Sequence, residues 1–155
     1  ILELLYSAGL RVSEVINLKR CDFEFERGIG WVRKGKGMKD RPFIIAKLLE
    51  PKIIKYVECN CNSFDSYLFT GYTENKLHIR SVQEIVKNAA NKAGIKKKVH
   101  PHSLRHSYAT HLIENGYDVN TVQPLLGHNS AETTMRYVHM ANPKMIKVIS
   151  PYDNL

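Results

Sequence analysis

The sequence predicts an α+β fold, mainly α-helical, with one small antiparallel β-sheet set among the helices. Three observations lead there. Apolar residues recur at helical spacing along most of the chain, the period becomes alternating only between Phe23 and Ala46, and glycine-bearing turns fall where the patterns break. The chain has 155 residues, 43% hydrophobic and 25% charged, the make-up of one globular domain large enough to bury a core.

Ile1 to Ser7 is apolar enough to end a buried helix, and Ala8-Gly9 stops it. A second helical pattern follows, with Val12, Val15, Ile16 and Leu18 apolar and Ser13 as its expected cap, so Arg11 falls at a helix–helix junction. Ile29 and Trp31 then alternate with Gly28 and Gly30, Val32 extends the run, and Pro42 to Ile45 forms a second apolar run beyond the turn Gly35-Lys36-Gly37. Leu48 to Val57 returns to helical spacing, with Pro51 in its first turn. Cys59 to Tyr67 is polar loop, and Leu68-Phe69 is a short strand or a core contact. Ser81-x-x-Glu84 matches a capping box ahead of Ile85, Val86, Ala89, Ala90 and Ala93, and Gly94 closes that helix. Leu104 to Glu114 is a helix ended by Asn115-Gly116, Asp118 caps Val119 to Leu126 with Gly127 as its stop, and Ser130 caps a last helix through Tyr137. Pro124 interrupts the pattern of its helix, where it removes a backbone donor.

Lysine and arginine number 23 against 15 aspartate and glutamate, a formal charge of +8 that favours a polyanionic partner. No membrane span is expected, because the longest apolar stretch, Ile1 to Leu10, is short and broken by Glu3. Cys21, Cys59 and Cys61 are an odd number with no secretory signal, which points to a reducing cytoplasm. The chain begins at Ile inside a helical pattern, as expected of a piece of a longer protein.

The densest set of polar groups is His102-x-x-Arg105, followed by Gly127-His128 and Tyr137. Positions i and i+3 share a helix face, so His102 and Arg105 can address one ligand. A guanidinium offers paired donors to phosphate at any working pH. Arg11 can supply a second such fork, or pair with Glu14 as a junction residue. Fixed cations aimed at a reacting phosphodiester lower its barrier without metal. Lys36, on a glycine-flanked turn, can hand a proton to a departing oxygen. Tyr137 is the candidate covalent nucleophile. The basic residues Arg33, Lys34, Lys39, Arg41 and Lys96, Lys97, Lys98 suit tracking of a DNA backbone.

Gly9-Leu10-Arg11-Val12-Ser13-Glu14, Gly35 to Arg41, Pro101 to Leu112, Leu125-Leu126-Gly127-His128 and Thr133 to Tyr137 together resemble the catalytic domain of tyrosine recombinases, in the phage-integrase and Xer-type branch. The blocks stand in that family's order, and Tyr137 lies nine positions after His128. The resemblance implies that Arg11, Arg105 and His128 hold the scissile phosphate, that Lys36 protonates the 5′-oxygen leaving group, that His102 assists proton transfer, and that Tyr137 forms a 3′-phosphotyrosyl bond. It implies no metal, cofactor or ATP, and residues 1–155 as a catalytic domain lacking an N-terminal core-binding domain. Double-stranded DNA is the implied partner, with four copies on paired sites, weak association or monomers without DNA, a nucleoid-associated cytoplasmic location and no membrane. Residues 141–155, with Met145, Ile146, Val148 and Ile149 apolar, are a candidate oligomerisation tail.

Blander readings accompany these. The histidines have no zinc-ligand spacing, Cys59-x-Cys61 has no second pair, and most tyrosines belong to core or amphipathic faces. Two other functions fit the same pattern: strand relaxation of the type IB topoisomerase kind, or a DNA-binding and assembly module without chemistry.

Overall fold

The computed structural model describes residues 1–33, 40–71, 75–117, 119–127 and 149–155. Among them the chain forms helices α1 (Leu2–Ser7) and α2 (Val12–Val15), strands β1 (Phe23–Glu24), β2 (Ile29–Val32) and β3 (Arg41–Ile44), and helices α3 (Glu50–Asn60), α4 (Ile79–Lys92), α5 (Pro101–Glu114) and α6 (Val119–Leu126). The sheet is antiparallel in the order β1-β2-β3. The predicted class is the observed one, and the elements shift in instructive ways.

Strand β1, two residues long, is too short to carry a period and escapes the sequence pattern. The buried face of β2 is not the one its bulky residues mark. Gly30 and Val32 point inward while Ile29 and Trp31 are half-buried, because Phe43 of β3 lies opposite Gly30 and fills the space a side chain would occupy. A Cβ on Gly30 would stand 2.2 Å from the Phe43 ring. Gly30→Ala is therefore expected to lower stability by about 2 kcal/mol by overpacking. Urea melts should show that Phe43→Leu, itself destabilising, recovers much of that loss when combined with it.

Helix α4 begins at Ile79 rather than at Ser81, because the His78 side chain accepts the Arg80 N–H at 3.2 Å and caps it there. Val82, Val86 and Ala90, one turn apart, form its buried stripe. Helix α5 begins at Pro101, so His102 lies in its first turn; proline suits that end, where a missing N–H leaves no bond unmade. Helix α6 runs through Pro124 but continues for only two residues beyond it.

The main core joins Leu4, Leu5 and Leu10 to Val32 and Phe43 of the sheet, Ile53 and Val57 of α3 and Val82 and Val86 of α4. A second cluster seats α6 on α5 through Tyr108, Leu112, Val122, Leu125 and Leu126. Residues 149–155 pack on the same chain. Ser150 donates to the Ser7 carbonyl at 2.8 Å, Asp153 accepts the Lys47 and Leu48 N–H groups at 3.1 and 2.9 Å, and Tyr152 meets Glu3 and Lys52. No helix of the described residues is long and apolar enough to cross a membrane.

Candidate active site

The site is built first at the junction of α1 and α2. Gly9 holds φ +58, and a Cβ there would stand 2.4 Å from the buried Tyr108 ring, so glycine alone turns the chain this close to α5. The turn buries Leu10 and leaves Arg11 half-buried at the start of α2. Arg11, not Ser13, occupies the cap position. Its N–H and its Nη1 both donate to the Glu14 carboxylate at 2.8 Å, which fixes the arginine and the helix end together. The junction reading of Arg11 is thus realised in the geometry.

Glu14 is 6% exposed, and a buried carboxylate needs partners to remain charged. It has three. Besides Arg11 at 2.8 Å, Arg41 of β3 reaches it at 2.6 Å and Arg105 of α5 at 3.9 Å. Arg105 is 3% exposed and spends its donors on backbone: Nη1 donates to the Gly9 carbonyl at 2.6 Å and Nη2 to the Leu126 carbonyl. Arg11 Nη2 also donates to the Gly127 carbonyl at 3.1 Å. Both arginines therefore converge on one carboxylate and on the end of α6, whose last carbonyls lack intrahelical donors. Neutral carbonyls are exchangeable partners; phosphate oxygens would offer the same two forks a stronger acceptor.

Burial alone would push the Glu14 carboxyl up, but the charge of Arg41 and hydrogen bonds from Arg11 and Arg41 outweigh it and hold the group below its ordinary 4.5. Burial, with the like charges of Arg11 and Arg41, lowers Arg105 to about 10, still protonated at neutral pH. A depressed carboxylate contributes stability that is present above its unfolded value of 4.5 and lost as pH falls through the folded one. Urea midpoints are expected to fall as the pH drops below the ordinary 4.5 of a glutamate. Glu14→Gln should be less stable than the parent at neutral pH, and the two should converge in acid.

His102 is exposed, one helical turn before Arg105. Lys36, His128 and Tyr137, with Lys34 and Lys39, lie outside the described residues, although Gly127, which precedes His128, is in the site. Lys96, Lys97 and Lys98 are exposed on the link between α4 and α5. Arg33 is exposed but partnered: it pairs with Asp22 at 3.5 Å and Asp40 at 3.0 Å and lies over the Trp31 ring. Arg41 corrects the expectation placed on it. Instead of facing a DNA backbone it is 7% exposed, tied to Glu14 and to the Leu125 carbonyl at 2.7 Å, because a buried carboxylate draws the nearest cation inward. The central role of Glu14 was visible in sequence only as a pairing with Arg11; its other two cations come from distant segments.

The model of the phage integrase family matches residues 1–143, and the chain belongs to that family. More particularly, it is similar to tyrosine recombinases of the Xer kind. Tyrosine recombinase XerA of Thermococcus kodakarensis is 45% identical over 136 residues, 86% of this chain and 48% of the relative. A tyrosine recombinase of Pseudothermotoga lettingae is 39% identical over 149 residues, 96% of this chain and 51% of the relative. The chain thus spans about half the length of the curated relatives it matches. The crystal structure of XerA recombinase superposes with a TM-score of 0.75 at 35% identity, covering 94% of this chain and 53% of the other. XerH recombinase bound to a palindromic difH substrate, in a post-cleavage complex, gives 0.70 at 28% identity, with 93% of this chain and 42% of the other covered.

Proposed function

We propose that this chain is the catalytic part of a site-specific recombinase that cleaves and rejoins double-stranded DNA through a covalent phosphotyrosyl intermediate. The observation that carries the reading is the convergence of Arg11 and Arg105 on Glu14 and on the segment leading into His128. Two fixed guanidinium forks suit the negative charge that develops on non-bridging phosphate oxygens. In the first step the Tyr137 phenolic oxygen attacks phosphorus and the bond to the 5′-oxygen breaks. His102 assists removal of the phenolic proton, and Lys36 supplies a proton to the departing oxygen, leaving a 3′-phosphotyrosyl bond and a 5′-hydroxyl. Attack by the 5′-hydroxyl of a second strand reverses the step and joins new ends, so no ATP is consumed and no metal is required. His128 shares the phosphate with the two arginines.

The same reading includes four copies on paired DNA sites, monomers or weak association without DNA, an N-terminal core-binding domain in the whole protein, a role for residues 141–155 between copies, and a nucleoid-associated cytoplasmic location. Incubation with a duplex nicked beside the target bond, in the presence of a metal chelator, should yield a protein–DNA adduct that survives denaturation and maps to the Tyr137 peptide. Absence of any adduct, or its mapping elsewhere, would overturn the mechanism. Relaxation of supercoils by the full-length protein without exchange between two sites would assign a topoisomerase outcome instead.

A further inference from the structure

We propose that Arg41 is a positioning residue, which sets the two phosphate-gripping arginines by clamping Glu14 to the end of α6. The inference rests on the reading that Arg11 and Arg105 hold the scissile phosphate. Three guanidinium groups bond three consecutive carbonyls there: Arg41 to Leu125, Arg105 to Leu126 and Arg11 to Gly127. Carbonyls at a helix C-terminus carry partial negative charge and have no donors of their own, so the helix end acts as a template that spaces the cations. Arg41 differs from Arg105 in donating directly to Glu14, and from Arg11 in being buried. Its Nη2 donates to Glu14 at 2.6 Å in a buried ion pair, and its Nε is buried with no hydrogen-bond partner among the described residues.

Gly127 shows how closely this residue is fitted. It holds φ +58, and a Cβ there would stand 2.6 Å from Arg41 Cδ and 2.8 Å from Arg41 Nε. Only a residue without a side chain lets Arg41 lie under the segment that leads into His128. Leaving Glu14 for a phosphate would strand a buried carboxylate with the more distant Arg105 and the half-exposed Arg11 as its remaining cations, which opposes direct DNA contact by Arg41. Its position also matters, because β3 begins at Arg41, close behind the segment that contains Lys36. A single side chain therefore joins the α1–α2 junction, the root of that segment and the approach to His128.

The groups facing Glu14 are Arg11 from the junction, Arg41 from β3, Arg105 from α5 and, through Arg41, the α6 carbonyls; the buried Tyr108 phenol, whose own titration burial pushes up, lies in the field of Arg41 and Arg105. Arg41→Met keeps bulk and removes the charge. On the nicked duplex it is expected to cleave about 100-fold more slowly, as a small misplacement of catalytic groups does, with half-saturation by DNA unchanged. Its rate should gain an acid limb as Glu14 loses its strongest partner, and Glu14→Gln in the same background should remove that limb. Arg41→Lys, which keeps the charge on a single nitrogen, should restore the parental profile. Carbon NMR of the Glu14 carboxyl without DNA reads the clamp independently of activity: its titration should move upward in Arg41→Met.

An unmoved Glu14 titration, or a folded Arg41→Met that cleaves at the parental rate, would overturn the clamp while leaving the recombinase reading intact. Weakened DNA binding with a shallower salt dependence would also overturn it, since Arg41 would then be touching phosphate. No adduct from the parent protein, alongside a shifted Glu14 titration in the variant, would remove the recombinase reading and leave the clamp as a structural fact.

Discussion

Arg105→Ala is expected to reduce cleavage of a nicked duplex by about 1000-fold, the loss seen when a fixed donor is removed from developing charge. The side chain is 3% exposed and donates at 2.6 Å to the Gly9 carbonyl, so its guanidinium is held in place before any DNA arrives. Preorganisation of this kind matters most in the transition state, and the variant should lower the cleavage rate while non-specific affinity stays close to the parent's. Arg105→Lys keeps a charge but loses the fork, and should recover only a small part of the rate. Single-turnover cleavage beside a gel-shift titration separates the two quantities. A loss confined to affinity would mean that Arg105 only docks DNA.

Tyr137→Phe should eliminate the covalent adduct altogether, because the substitution removes the one oxygen that can bond to phosphorus and leaves the ring. Melting temperature and gel-shift affinity should match the parent, which distinguishes a lost nucleophile from a lost fold. The combination with Arg105→Ala should be no worse than Tyr137→Phe alone, since groups that act as a unit are not additive. An adduct that persists in Tyr137→Phe would assign the nucleophile to another residue.

Much of this architecture is legible in the sequence, for local reasons. Helical spacing in α3 and the alternating run of β2 reflect short-range periodicity, and Gly9 marks a turn that only a positive φ allows. What escaped depends on partners far away in the chain. Arg41 stands in a basic run that looks like a solvated face, and only Glu14, 27 residues earlier, draws it into the interior. The start of α4 hinges on the His78 ring accepting a backbone N–H, a use of histidine that a Ser-x-x-Glu pattern conceals. The buried face of β2 is not legible from Gly30, because the bulk that fills its side belongs to Phe43 across the sheet. Arg11 and Arg105 were legible as candidates, but their common carboxylate was not, since it required three segments to be in place.

The trio of arginines around Glu14 also separates how DNA would arrive from what happens once it has arrived. Three guanidinium groups share the one Glu14 carboxylate, so two positive charges stay uncompensated inside the site, whereas Arg33 is matched by Asp22 and Asp40. Long-range attraction also draws on exposed lysines such as Lys96, Lys97 and Lys98, whose reach shrinks to about 8 Å at physiological ionic strength. Added salt would thus slow the encounter, whereas the turnover of DNA already seated would proceed almost unaffected by it.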